Sequence, residues 1–192
     1  MESVATRFPL AVDERAVSAL TEALKKIRFA NGYYVDFVRV LRVRRPMPVA
    51  SIRERSEIHV IAGHILGADD PREQIYARSA AGAFWMSVPV TILFYVRASE
   101  NMTEIVYRLA KAEILRAILS SPIVDDGGIE YPLQVGPGPF EDVRYPIQAY
   151  PLFYEEKPEF AAGAIEIILL ASFGPASPYE PEGSASPIFA SR

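Results

Sequence analysis

No stretch constrains the fold of this chain more than Trp85 to Val96, twelve residues without a glycine that are apolar on both sides of an extended backbone. Alternate side chains of a strand point to opposite faces. Val88, Val90, Ile92, Phe94 and Val96 therefore share one face, and Thr91, Leu93 and Tyr95 share the other. A strand with apolar groups on both faces belongs in the middle of a sheet, with material packed over each side. Pro89 has no N–H to give to a ladder, which requires that pairing on one side begin after it.

The other elements follow from their own patterns. Val17, Leu20, Leu24 and Ile27 recur three or four residues apart between Asp13, a helix-start residue, and the Asn31-Gly32 break, predicting an amphipathic helix over residues 13–28. Residues 33–43 are rich in β-branched and aromatic groups and predict a long strand. Residues 56–62 predict another, and the polar stretch 63–80 predicts a long loop. A second helix runs up to Ser121-Pro122, with Asn101 and Glu104 at capping-box spacing and Ile105, Leu109, Ala112, Leu115 and Leu119 as its core-facing stripe. Gly and Pro between Pro122 and Pro146 predict a projecting excursion. Residues 147–154 and 164–173 predict a closing hairpin, the second strand placing Ile165, Ile167, Leu169 and Ala171 on one face.

Helix, strands, helix, strands is the order of an α+β domain with two helices on a largely antiparallel sheet. The expected organisation is one domain over residues 1–173. Residues 174–192, mostly Pro, Ser, Gly and Ala, form a Pro-rich C-terminal arm that cannot build a core. Pro175, Pro178, Pro181 and Pro187 favour extended backbone, and Tyr179, Ile188 and Phe189 are its candidate anchors on a neighbouring chain.

The absence of cysteine removes zinc fingers, iron–sulfur clusters, thiol catalysis and disulfides together. His59 and His64 are the only histidines, and their spacing does not put them on one face, so no metal is expected. Asp125 and Asp126 stand before Gly127-Gly128 and read as turn residues rather than an acid–base pair. No phosphate loop, nucleophile elbow or dinucleotide fingerprint is present, so neither a cofactor nor catalysis is expected. No segment has the length of a membrane span or the texture of a secretory signal, which predicts a soluble intracellular protein without membrane contact.

Sixteen of the twenty cations are arginine, and six of these, Arg39, Arg42, Arg44, Arg45, Arg53 and Arg55, fall within seventeen residues. Such a cluster can meet phosphates, as DNA contact would require. It can equally be a solvated strand end or meet the acids of a neighbouring subunit, which the net charge of −4 favours.

Taken in order, the opening helix ending at Asn31-Gly32-Tyr33, the long strand, the variable loop, the run Val88-Pro89-Val90-Thr91-Ile92-Leu93 leading into the helix from Asn101, and the late hairpin ending at Phe173 resemble the tail terminators of long-tailed phages. The resemblance covers roughly residues 12–173 and lies in element order, since that family has no catalytic motif to match. It implies a hexameric ring that caps the tail tube, ends its polymerisation and joins it to the head connector. The subunit would be made in the host cytoplasm and end in the virion tail, with DNA passing through its channel. The alternatives are another neck or tail-tube ring subunit and, from a different class, a small intracellular enzyme or ligand-binding domain.

Overall fold

The computed structural model describes residues 12–48, 51–52, 55–63, 75–77, 84–134, 147–154 and 158–173. Helix α1 (Val12–Lys25) is followed by strands β1 (Arg39–Arg42), β2 (Ser56–Ala62), β3 (Ile75–Ala77) and β4 (Phe84–Arg97), helix α2 (Thr103–Leu119), and strands β5 (Gln148–Leu152) and β6 (Phe160–Phe173). The sheet runs β1-β2-β4-β6-β5, and β3 also pairs with β4. All pairs are antiparallel except β1 with β2. The protein is thus an α+β fold with two helices packed on a largely antiparallel sheet.

Strand β4 is central, as its two apolar faces require. Its whole length pairs with β6, while β2 takes Val90 to Val96 and β3 takes Phe84 to Met86 on the opposite edge. Pro89 falls in the gap between those two ladders, where its missing N–H costs no pairing. On the helical face, Leu20 and Leu24 of α1 and Ile114 and Ile118 of α2 join Ile58, Val90, Ile92, Phe94, Ile165 and Ile167 in one core. Gly163 of β6 makes the close approach of α2 possible. A Cβ there would stand 2.6 Å from both Phe94 Cζ and Tyr107 Cε2, and those two rings stack at 5.8 Å.

On the other face, Ile61, Leu93, Tyr95, Ala162 and Ala164 form a smaller cluster with Ile52. The parallel β1–β2 connection has to cross over, and it brings Val43 and Ile52 onto this face.

Several expectations need correction. Residues 33–38 are not strand: Phe37 N–H donates to Ile27 O and Val38 N–H to Ser56 Oγ, so donors that a ladder would use are spent elsewhere. Strand β3 lies inside the stretch expected to be loop. Asp13 sits within the first turn of α1 rather than before it. Of the excursion expected over residues 122–146, residues 122–134 are tied to the body of the fold, and residues 135–146 lie outside the described residues. Ile123 and Tyr131 are buried, Val124 bridges Glu130, and Leu133 bridges Leu169 of β6. Asp125 does form a turn, accepting N–H bonds from Gly127 at 2.9 Å and Ile129 at 3.0 Å, with Gly128 at φ 79°. Its other oxygen takes Arg15 Nη2 at 2.5 Å and the Tyr131 hydroxyl at 2.9 Å, tying the turn to α1.

Candidate functional site

The expected core stripe of α2 is on the wrong side. The residues that face the sheet are Ala110, Glu113, Ile114, Ala117 and Ile118. Ile105 is 58% exposed and Leu119 is 55% exposed, with Met102, Leu109 and Ala112 beside them in solvent and Leu115 half-buried. Residues 105, 109, 112, 116 and 119 follow one another at three or four residues along a single face. Position 116 is Arg116, and Arg108 is exposed on the same side, so Ile105, Leu109, Ala112 and Leu119 form an aliphatic patch interrupted by two arginines on a helix whose inward side is already filled. A surface helix ordinarily keeps its outward side polar, so four exposed aliphatic groups on that side depart from the usual pattern.

The capping box is also absent. A 3-10 turn, Glu100–Met102, leads into α2, no side chain caps Met102, and Glu104 instead pairs with Arg108 at 2.5 Å.

A buried carboxylate explains why the inward face escaped the hydrophobic pattern. Glu113 accepts the Tyr34 N–H at 3.2 Å and Arg116 Nη2 at 2.6 Å. Arg116 also donates to Gly32 O at 2.8 Å and lies 4.4 Å from the centroid of the Tyr33 ring. This clasp fixes the α1–β1 connection against α2. It leaves Tyr34 72% exposed next to the outward face of the helix, with Phe29 and Val38 also exposed on the same connection. Aromatic and aliphatic groups held on a rigid support are the usual anchors of protein–protein contact.

The helix-free face carries the one histidine of the described residues. His59 and Glu57 stand two apart on β2 and so share a side, with Nε2 3.1 Å from Oε2. The ring tilts against Tyr95 at 5.3 Å. Burial, then the neighbouring Tyr154 and Glu57, push the Tyr95 phenol far above its ordinary range. His59 and Glu57 are both buried and are joined by their internal contact. Among the described residues, no three His, Cys, Asp or Glu side chains gather where they could hold a metal ion, and no helix is long and apolar enough to cross a membrane. His64 lies outside the described residues.

The arginine cluster is only partly assembled. Arg39 and Arg42 bound β1, an edge strand with no described partner on its outer side. Arg42 pairs with Glu14 of α1 within the same chain, which removes it from the set awaiting an outside acid. Arg44, Arg45 and Arg55 are exposed, and Arg53 lies outside the described residues. Cations along a short edge strand also blunt unwanted sheet-to-sheet pairing. The arm anchors Tyr179, Ile188 and Phe189 lie outside the described residues as well.

At the opposite edge, Pro151 interrupts the free side of β5, and the helix-side residues Ala149, Pro151 and Phe153 are exposed because the helical layer ends over β6. No family model and no curated protein matches the chain.

Proposed function

We propose that this chain is a non-enzymatic structural subunit that assembles with copies of itself into a closed ring, and that the ring is the hexameric terminator of a phage tail. The observation that carries the self-assembly is the outward apolar face of α2, Ile105, Leu109, Ala112 and Leu119, held beside exposed Tyr34. A head-to-tail contact between this patch on one copy and a different surface on the next closes into a ring when the rotation per subunit fits. A second copy suits such a patch because its aliphatic groups then leave water, and the Glu104–Arg108 pair supplies a polar rim.

The tail-terminator reading is supported by the order of elements across residues 12–173. In that role the ring would contact the tail tube protein on one side and the head connector on the other. Arg44 and Arg45, exposed just past the end of β1, and Arg55, exposed at the start of β2 toward the other end of the parallel pair, are the cations available to face DNA or a neighbour's carboxylates. The reading places the protein in the virion tail, with the host cytoplasm as its site of assembly.

Electron microscopy tests this directly. The purified protein should form sixfold rings with a central channel, and adding it to polymerising tail tube protein of the same virus should arrest the tubes with a ring at one end. Rings without tube arrest would reject the tail-terminator role and keep the assembly. Single-subunit particles at all concentrations would reject both.

A further inference from the structure

The sheet edge beyond the helices carries a groove of about 1000 Å³ between the first half of α2 and β5 with its following turn. It is lined by Tyr107, Phe153 and Pro158, together with Leu152, Tyr154 and Phe160, which also pack on the cluster of the other sheet face, and Glu104, Arg108 and Lys111 line it from α2. It exists because Gly163 lets Tyr107 settle onto Phe94, which draws α2 over β6 and leaves β5, one strand spacing further out, uncovered. Phe153 is 88% exposed at its mouth, and the ammonium of Lys111 sits 5.4 Å from the Tyr107 ring centroid.

We infer that this groove receives the proline-rich arm of a neighbouring copy, with Pro175, Pro178 and Pro181 laid against its aromatic wall. The inference rests on the self-assembly proposed above and adds a second contact between one subunit and the next, beside the outward face of α2. Three features of the arm fit the groove. Prolines at 175, 178 and 181 are three apart, and polyproline II has three residues per turn, so all three fall on one side of such a helix. Aromatic-lined grooves recognise that conformation because its order costs little entropy on docking. Glu180 and Glu182, which flank Pro181, bring carboxylates to a rim where Arg108 is paired with Glu104 and Lys111 is the further cation.

Reach decides between the chain's own arm and a neighbour's. Strand β6 starts at the groove and runs away from it, so the arm leaves at the opposite end, after Phe173. Ala149 and Leu152, both lining the groove, are level on the sheet with Ile165 and Ala162 of β6, so Phe173 stands about 26 to 36 Å away at ~3.3 Å per residue. Pro178 is five residues past Phe173 and can travel at most about 18 Å. The arm's first two prolines therefore cannot reach the groove of their own chain, and a second copy must provide it.

The chain contains no cysteine, so introduced thiols report proximity without background. Ala149→Cys at the exposed groove lip and Ser177→Cys in the arm keep every aromatic and proline in place. Chains carrying one or the other, co-expressed and treated with a short bismaleimide, should give a covalent dimer containing one of each. Phe153→Asp alters a side chain that is almost wholly in solvent and leaves the fold intact. Added to the Ala149→Cys chain, it should lower the dimer yield roughly tenfold. A chain bearing both thiols that links only to itself would overturn docking between copies. So would no link at all, or a small molecule held stoichiometrically in the groove in native mass spectra. Light scattering separates the two levels: an oligomer without the link overturns arm docking alone, and a monomer overturns the assembly as well.

Discussion

Gly163→Ala should destabilise the protein although it adds a single methyl group in a strand where the glycine backbone needs no special conformation. The new Cβ would lie 2.6 Å from Phe94 Cζ, 2.8 Å from Phe94 Cε1 and 2.6 Å from Tyr107 Cε2. Carbon atoms settle at about 3.5–4.0 Å, so the rings must retreat by about 1 Å. Phe94 is fully buried and cannot. Tyr107, half-buried at the groove, has to swing outward and pull α2 with it. Overpacking of this kind costs about 1–3 kcal/mol, while the lower entropy of the unfolded alanine chain returns about 0.4–1 kcal/mol. The net loss is about 1–2 kcal/mol, a fall in Tm of about 3–7 °C for a chain of this size. Differential scanning calorimetry of the wild type and the variant measures it. Repeating the substitution in a Tyr107→Ala background should recover part of the loss, because one clashing ring is gone and the space it leaves lets the Phe94 ring shift. An unchanged or raised Tm for Gly163→Ala, or an equal loss in both backgrounds, would refute the claim that glycine is there to seat Tyr107.

Two further outcomes follow from single contacts. Burial pushes the Asp125 carboxyl up, but the Ile129 N–H, the Tyr131 hydroxyl and Arg15 together outweigh it and hold the group below its ordinary 3.8. The unfolded chain therefore takes up this proton first. The stability Asp125 contributes is complete above pH ~4 and lost as pH falls below it, so Asp125→Asn should lower the urea midpoint at pH 7 and differ less from wild type at pH 3, and a gap independent of pH would contradict this. His59→Ala removes a ring packed on Tyr95 and a hydrogen bond to Glu57, which should cost about 2–4 kcal/mol by urea titration, whereas a chelator should leave the wild-type Tm unchanged.

The parts of the fold legible in the sequence are those with one solution to their pattern. Strand β4 has two apolar faces and can only be central. Strand β2 and the alternation of Ile165, Ile167 and Leu169 in β6 are regular enough to place directly. Helix α2 is different, because Ile105, Leu109 and Leu119 form as good a stripe as Ala110, Ile114, Ala117 and Ile118. The true inward face is disguised by Glu113, whose burial is made possible only by the Tyr34 backbone and Arg116 from elsewhere in the fold. The surplus of apolar residues is what the proposed contact with a second copy rests on. Residues 33–38 look like strand by composition, but pairing depends on a neighbour, and Ile27 and Ser56 claim their donors first. The groove at β5 was not legible at all, since it arises from where one glycine lets a helix sit relative to a sheet edge.

The central claim is that the outward face of α2 is covered by another copy, and the solution mass tests it most directly. Light scattering of the wild-type protein should give about six times the 21.3 kDa of one chain. Ile105→Ser combined with Leu119→Ser removes two half-exposed aliphatic groups worth about 1 kcal/mol each in a contact, weakening every interface roughly 30-fold while leaving the far-ultraviolet circular dichroism unchanged. A wild-type mass of one chain across the whole concentration range, or a double variant that assembles as tightly as the wild type, would contradict the account.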